Sequence, residues 1–249
     1  MAETTILPAK WDVPQSLRAR LSKQVGRQRE IVDAGHLLLV LHAVPRLGDR
    51  ERRGQFFWRS PDGNWSSNEL GSGVGALSKH IDTFENAIVK LDRQAEQASS
   101  VDELFDVLGR LAPVRRTASH LYQVLYQVRQ SFPEYTELIN ARDRAYGVER
   151  QADLLQQATK NELDLAVAKR AEEQAASGHR MAVAAFRLNM LVAFFFPVAT
   201  LTAVFGANLR HGLEEIAAPW PFLVLIGIGL LLGLVLTLVV TKRPPPSRQ

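Results

Sequence analysis

The chain has 249 residues, of which 46% are hydrophobic and 22% charged, with no cysteine and a formal net charge of +4. The C-terminal Lys242, Arg243 and Arg248 hold +3 of that charge, and the segment with Arg210, Glu214 and Glu215 holds −1, which leaves +2 on the rest. So balanced a body is not a nucleic-acid footprint, and the lack of cysteine agrees with a reducing compartment.

The first thirty or so residues are polar and hold at most one short helix. The apolar run from Leu37 to Val44 contains His42 and is too short to span a bilayer, so Leu37–Leu41 reads as a buried strand. Gln55–Arg59 reads as a second strand, and Ser60-Pro61-Asp62-Gly63-Asn64 is turn chemistry. Trp65 starts a return strand, which gives a small antiparallel sheet. Gly71-Ser72-Gly73-Val74-Gly75 lacks the Gly-Lys-Ser/Thr of a phosphate loop and the spacing of a dinucleotide loop, so it reads as a linker.

From Ala76 the pattern is helical. Ile81, Phe84, Ile88 and Leu91 form one apolar stripe. Ser100 and Glu103 have capping-box spacing and start a second helix, which Pro113 is expected to end or kink before a third continues through Leu121, Val124, Leu125 and Val128. Ser131-Phe132-Pro133-Glu134 reads as another helix start. The next proline is Pro197, so one helix is expected from about Pro133 to Phe205, roughly 100 Å at the α-helical rise. Its faces with Ala141, Ala145, Ala152, Leu155, Ala158, Leu163 and Ala166 need partners, in part the preceding helices and in part copies of the same helix.

Two stretches, Leu188–Phe205 and Trp220–Val240, contain no Asp, Glu, Lys or Arg, and each is long enough to cross a bilayer. A short connection makes them a hairpin with both chain ends on one side. Arg180 and Arg187 precede the first and Lys242 and Arg243 follow the second, so both termini are expected in the cytoplasm. The basic tail is read as a topology signal touching anionic lipid. Pro244-Pro245-Pro246 ends the second helix. Two spans cannot enclose a pore, so transport requires a homo-oligomer.

Gly206-Ala207-Asn208 stands at the outer end of the first span, preceded by Phe205, with Pro197 nine residues before the glycine and Glu214 six after the asparagine; Trp220-Pro221 opens the second span. From about Ala182 to Val240 this resembles the CorA family of divalent-cation channels, whose usual motif is Tyr-Gly-Met-Asn. Before Ala182 the likeness is architectural. The resemblance implies a mainly α, homopentameric inner-membrane protein: an α/β cytoplasmic domain (1–130), a stalk helix (131–187) continuous with the first transmembrane helix (188–206), an extracytoplasmic loop (207–219), a second transmembrane helix (220–241) and a cytoplasmic tail (242–249). It implies passive Mg²⁺ transport, with zinc or another divalent cation, or a non-conducting scaffold, as alternatives that follow from Ala207 in place of Met.

Magnesium gives up its water shell reluctantly and prefers octahedral oxygen geometry. A ring of Asn208 amides would hold those waters without trapping the ion, and Gly206 lets the chain leave the helix sharply. Taken in isolation Asn208 reads as a simple helix C-cap, whereas between two spans the pore ring is the favoured reading, and the two roles are compatible. Glu214 and Glu215 form either an acidic collar at the pore mouth or two solvated carboxylates. His211 is either a zinc ligand or exposed. Helical spacing back from the mouth gives Ala199, Phe196, Val192, Leu188 and Ala185 as a stripe read as pore-lining, and Asn189, the one strongly polar side chain of the span, either joins the pore-lining set by facing the bundle or water or sits at the interface level. Gly229 and Gly233 are a GxxxG pair. Glu172 and Glu173 are either regulatory magnesium ligands between subunits or solvated helix faces. No catalytic motif or cofactor loop is present, so neither an enzyme nor a cofactor is expected, and Mg²⁺ enters as the transported ion.

Overall fold

The computed structural model describes residues 6–22, 24–46, 48–49, 51–206, 212 and 219–241. The chain divides into two compact units, Met1–Ala168 and Lys169–Gln249. The described elements are α1 (Gln15–Arg18), β1 (Arg29–Asp33), β2 (His36–His42), β3 (Gly54–Arg59), β4 (Trp65–Ser67), α2 (Gly75–Glu96), α3 (Val101–Ser131), α4 (Leu138–Gly206) and α5 (Trp220–Thr241).

In the first unit the strands form an antiparallel meander in the order β1-β2-β3-β4. The run Leu37–Leu41 is continuous because β2 is buried on both faces. Leu37, Leu39 and Leu41 join Phe57 and Trp65 in the main core, while Leu38 and Val40 join Ile31 and Phe56 in a second core closed by Leu7, Trp11, Val13 and Leu17. The polar N-terminal segment thus supplies a lid of four apolar side chains for the outer sheet face.

β1 is not apparent in the sequence, and the reason is local. The two-residue hairpin after it, Ala34-Gly35, has positive φ at both positions (45° and 79°). Alanine hides a turn that glycine or asparagine normally announces. The turn at Ser60–Asn64 forms as expected, with Gly63 at φ 86° and the Ser60 amide donating to the Asn64 carbonyl at 2.9 Å.

The helices carry the rest of the main core. The α2 stripe Ile81, Phe84, Ile88 and Leu91 is buried throughout. Ser100 and Glu103 close the capping box at the start of α3. Pro113 does not end that helix, which continues to Ser131. Proline removes one amide donor there, and burial of Leu111, Val114 and Ala118 beside it holds the helix together. Ser131 also differs from expectation: it is the last residue of α3 rather than a cap. Phe132, at φ −133° and ψ 70°, cannot be helical before Pro133, so residues 132–137 are a connection and α4 begins at Leu138 rather than near Pro133.

α4 returns antiparallel to α3, tied by Arg115 to Asp153 at 2.9 Å and by Ser119 to Glu149 at 2.6 Å. Its buried seam is Leu138, Ala141, Ala145, Val148, Ala152, Leu155, Thr159 and Leu163, with Ala166 partly buried. Thr159, which turns its hydroxyl onto the Leu155 carbonyl at 2.8 Å, takes the place expected for Ala158, which is exposed. Partners for this seam come from within the chain as far as Val101 and Leu104 of α3.

The start of α4 is clamped from two sides. The Arg59 guanidinium lies 3.8 Å over the Tyr135 ring and reaches Glu137 at 3.1 Å. Arg144 bridges Asp82 and Glu85 of α2, with 2.8 Å to Glu85.

In the second unit α5 lies against the last part of α4. Its inward residues are Pro221, Leu225, Gly229, Gly233 and Thr237, four apart. A Cβ at Gly229 would meet Val198 Cγ2 at 3.1 Å, and one at Gly233 would overlap the Phe194 carbonyl oxygen. The GxxxG pair therefore brings α5 to backbone contact with α4.

Two outcomes test this packing. His80 is buried between Phe57 and Phe84, its Nε2 lacks a hydrogen-bond partner among the described residues, and burial, with a smaller contribution from His42, lowers its pKa to about 4 from 6.5. The native state binds fewer protons than the unfolded chain in that window, so stability is lost as pH falls from 6.5 toward 4. Urea unfolding of the detergent-solubilised protein should show this slope, and His80→Leu should flatten it. Gly233→Ala is expected to destabilise by about 1–3 kcal/mol in thermal unfolding through overpacking. Gly227→Ala, where a Cβ meets nothing within 4 Å, is expected to be silent.

Candidate functional site

The sequence places its most specific signal at the end of α4. Gly206 is the last helical residue, and a Cβ there would meet nothing within 4 Å. Ala207, Asn208, His211, Glu214 and Glu215 lie outside the described residues. What the structure describes is the scaffold that leads to them.

That scaffold is a long apolar helix with one face occupied. α4 and α5 are both long and apolar enough to cross a membrane. On α4, Pro197 is buried and Met190, Phe194, Val198, Leu201 and Phe205 are half-buried, which marks the face toward α5. At 100° per residue the opposite face carries Leu188, Val192 and Ala199, flanked by Phe196 and Asn189. All five are exposed in the isolated chain, Leu188 at 61% and Phe196 at 63%. Leu188, Val192, Phe196 and Ala199 of the stripe read from the sequence, and Asn189 beside them, therefore share the surface that α5 does not touch. The three consecutive phenylalanines divide accordingly: Phe194 turns toward α5, and Phe195 and Phe196 are exposed.

Polar groups within the two apolar helices are largely satisfied locally. Thr200 donates to the Phe196 carbonyl, Thr202 to those of Val198 and Ala199, and Thr237 to that of Gly233, all at 2.8 to 3.0 Å. Such back-bonding leaves none of these hydroxyls unpaired in lipid. Asn189 is different: its amide makes no hydrogen bond among the described residues. A polar side chain at such a position takes its partner from another helix or from water.

Near the motif, an apolar cleft of about 180 Å³ opens between Leu201 and Phe205 of α4 and Trp220, Val224 and Ile228 of α5. It offers no polar group to an ion. Glu172 and Glu173 are exposed on α4. Among the described residues, no three His, Asp or Glu side chains converge as a metal site. The packing partners Phe194 and Val198 carried no sequence signal of their own; only the spacing of Gly229 and Gly233 on the facing helix pointed to them.

No curated protein matches the sequence. Among solved structures, full-length CmaX is 16% identical with a TM-score of 0.55, covering 92% of this chain and 82% of that one. At that identity the likeness is one of fold. The CorA magnesium transporter from Methanocaldococcus jannaschii is 12% identical with a TM-score of 0.43, covering 89% of this chain and 81% of that one. The ZntB cytoplasmic domain from Vibrio parahaemolyticus RIMD 2210633 is 12% identical with a TM-score of 0.46, covering 65% of this chain and 80% of that one. The family model for the CorA-like Mg²⁺ transporter protein matches residues 68–243, which takes in both apolar helices and all of α2 and α3. The chain belongs to the CorA-like Mg²⁺ transporter protein family.

Proposed function

We propose that the chain assembles as a homopentamer in the cytoplasmic membrane and conducts divalent cations, magnesium first, passively into the cytoplasm. The observation that carries this reading is the uncovered face of α4. An apolar helix bound on one side by α5 presents Leu188, Val192, Phe196 and Ala199 on the other, all exposed in the single chain. Copies of that face around an axis bury the stripe and give Asn189 a neighbour or water. Family membership supports cation transport as the activity.

In this reading residues 1–130 and the stalk 131–187 are cytoplasmic, 188–206 and 220–241 cross the membrane, and 207–219 face outward. Asn208 amides ring the outer mouth and hold the hydrated ion through its waters, and Glu214 and Glu215 raise the local cation concentration there. Phe196 and Leu188 narrow the path, where an apolar constriction gates by dewetting. The protein acts as a channel and not as an enzyme.

Ala207 favours a second reading. A small side chain beside the amide ring leaves a wider mouth than methionine does, which suits zinc or another divalent cation. A non-conducting scaffold is the third.

One reconstitution separates the three. In liposomes loaded with a magnesium-sensitive dye, the wild-type protein should admit Mg²⁺ along its gradient. Asn208→Ala should reduce selective influx to the level of protein-free vesicles while native mass spectrometry still counts five copies. Influx of Zn²⁺ or Co²⁺ in preference to Mg²⁺ moves the assignment to the second reading. Equal silence of wild type and variant toward all three ions moves it to a scaffold.

A further inference from the structure

Two cavities meet where the chain after β2 crosses α2 and α3. One, of about 370 Å³, is rimmed by Arg46, Lys90 and Arg110 above a floor that includes Val44, Leu91 and Val114. The other, of about 250 Å³, is rimmed by Arg52, Arg53 and Arg116 beside His42. Pro45, Asp49 and Pro113 line both, so the two are halves of one groove.

Its charge is lopsided. Among the described lining residues, six cationic side chains stand against two acids, Asp49 and Glu51. The chain up to Gly206 nets only +2, so the remainder of that part is net negative and the positive excess gathers here. Internal partners neutralise only part of it. Arg110 pairs loosely with Asp106 at 3.7 Å, and Arg53 with Asp49 at 3.8 Å. Arg52 donates to the Gly26 carbonyl at 3.2 Å, which quenches no charge. The side chains of Arg46, Lys90 and Arg116 have no hydrogen-bond or ion-pair partner among the described residues. Like charges brought together without counter-charges repel, and a bound anion relieves that repulsion.

We propose that this groove binds a soluble organic polyphosphate of the nucleoside di- or triphosphate class, its phosphates on the Arg and Lys rim and its organic part on the aliphatic floor. A carboxylate or a single phosphate engages one or two guanidinium groups, whereas six cations lining one groove match several linked phosphates. The volume is that of a small-ligand site and not of a track for a polymer.

The test is isothermal titration of the full-length protein in detergent, in magnesium-free, low-salt buffer, with sodium tripolyphosphate and with ATP as probes. Both should bind saturably. The double variant Lys90→Gln, Arg116→Gln should weaken binding at least about tenfold, as loss of two charge-assisted contacts requires, with an unchanged melting temperature. Higher salt should weaken the wild type as well. Absence of binding, or equal affinity in the variant, overturns the proposal. So does preference for a short-chain phosphatidylinositol phosphate over both soluble probes, which would make the ligand a lipid headgroup. The measurement uses no ion gradient, so its failure leaves the transport reading untouched.

Discussion

Backbone contact between α5 and α4, glycine against Phe194 and Val198, is the constraint on which the membrane-embedded part depends. In hydrocarbon, apolar side chains gain nothing by leaving lipid for each other, so helices associate through close van der Waals packing. Small residues on one helix make that possible. Once Gly229 and Gly233 have chosen their face of α4, the rest of its circumference follows by geometry. Large side chains at Leu188, Val192 and Phe196 stand where α5 is not, and the hydroxyls of Thr200 and Thr202 fold back on the helix itself.

The first unit solves a different problem. Four short strands and their connections cannot hold a helix as long as α4 by burial at one point. The unit as a whole does so by spreading contact along it: the Arg59–Tyr135–Glu137 cluster at its start, Arg144 about two turns later, and then the seam from Ala145 to Leu163 against α2 and α3. The seam steps by three and four residues in near alternation, the spacing of antiparallel helices that pack at a shallow angle. From Val167 to Ala182 the helix is exposed throughout.

Much of this was legible in the residues, and the exceptions have physical causes. The α2 stripe, the Ser100–Glu103 box and the β3–β4 turn each rest on a local rule that tertiary structure had no reason to override. β1 escaped notice because its hairpin uses Ala34 at positive φ. Pro113 misled because burial on both sides of it outweighs one missing donor. Ser131-Phe132-Pro133-Glu134 fits the composition of a helix start, yet the preceding helix reaches Ser131 before that cap can form. At the candidate site, the motif residues and the stripe behind them follow from residue types and from spacing relative to the motif, whereas which residues of α4 meet α5 emerged only once the partner helix was in place. Periodicity cannot orient a helix that is apolar all round.

The sheet's outer strands have a bearing on life in a bilayer, where identical chains diffuse in two dimensions and meet often. An open strand edge invites pairing with the next chain. Here one outer strand, β1, carries Arg29, Glu30 and Asp33 within five residues, and the other, β4, is only three residues long. Neither offers a neighbour a long neutral ribbon to zip onto, so frequent encounters leave the strands of each molecule to themselves.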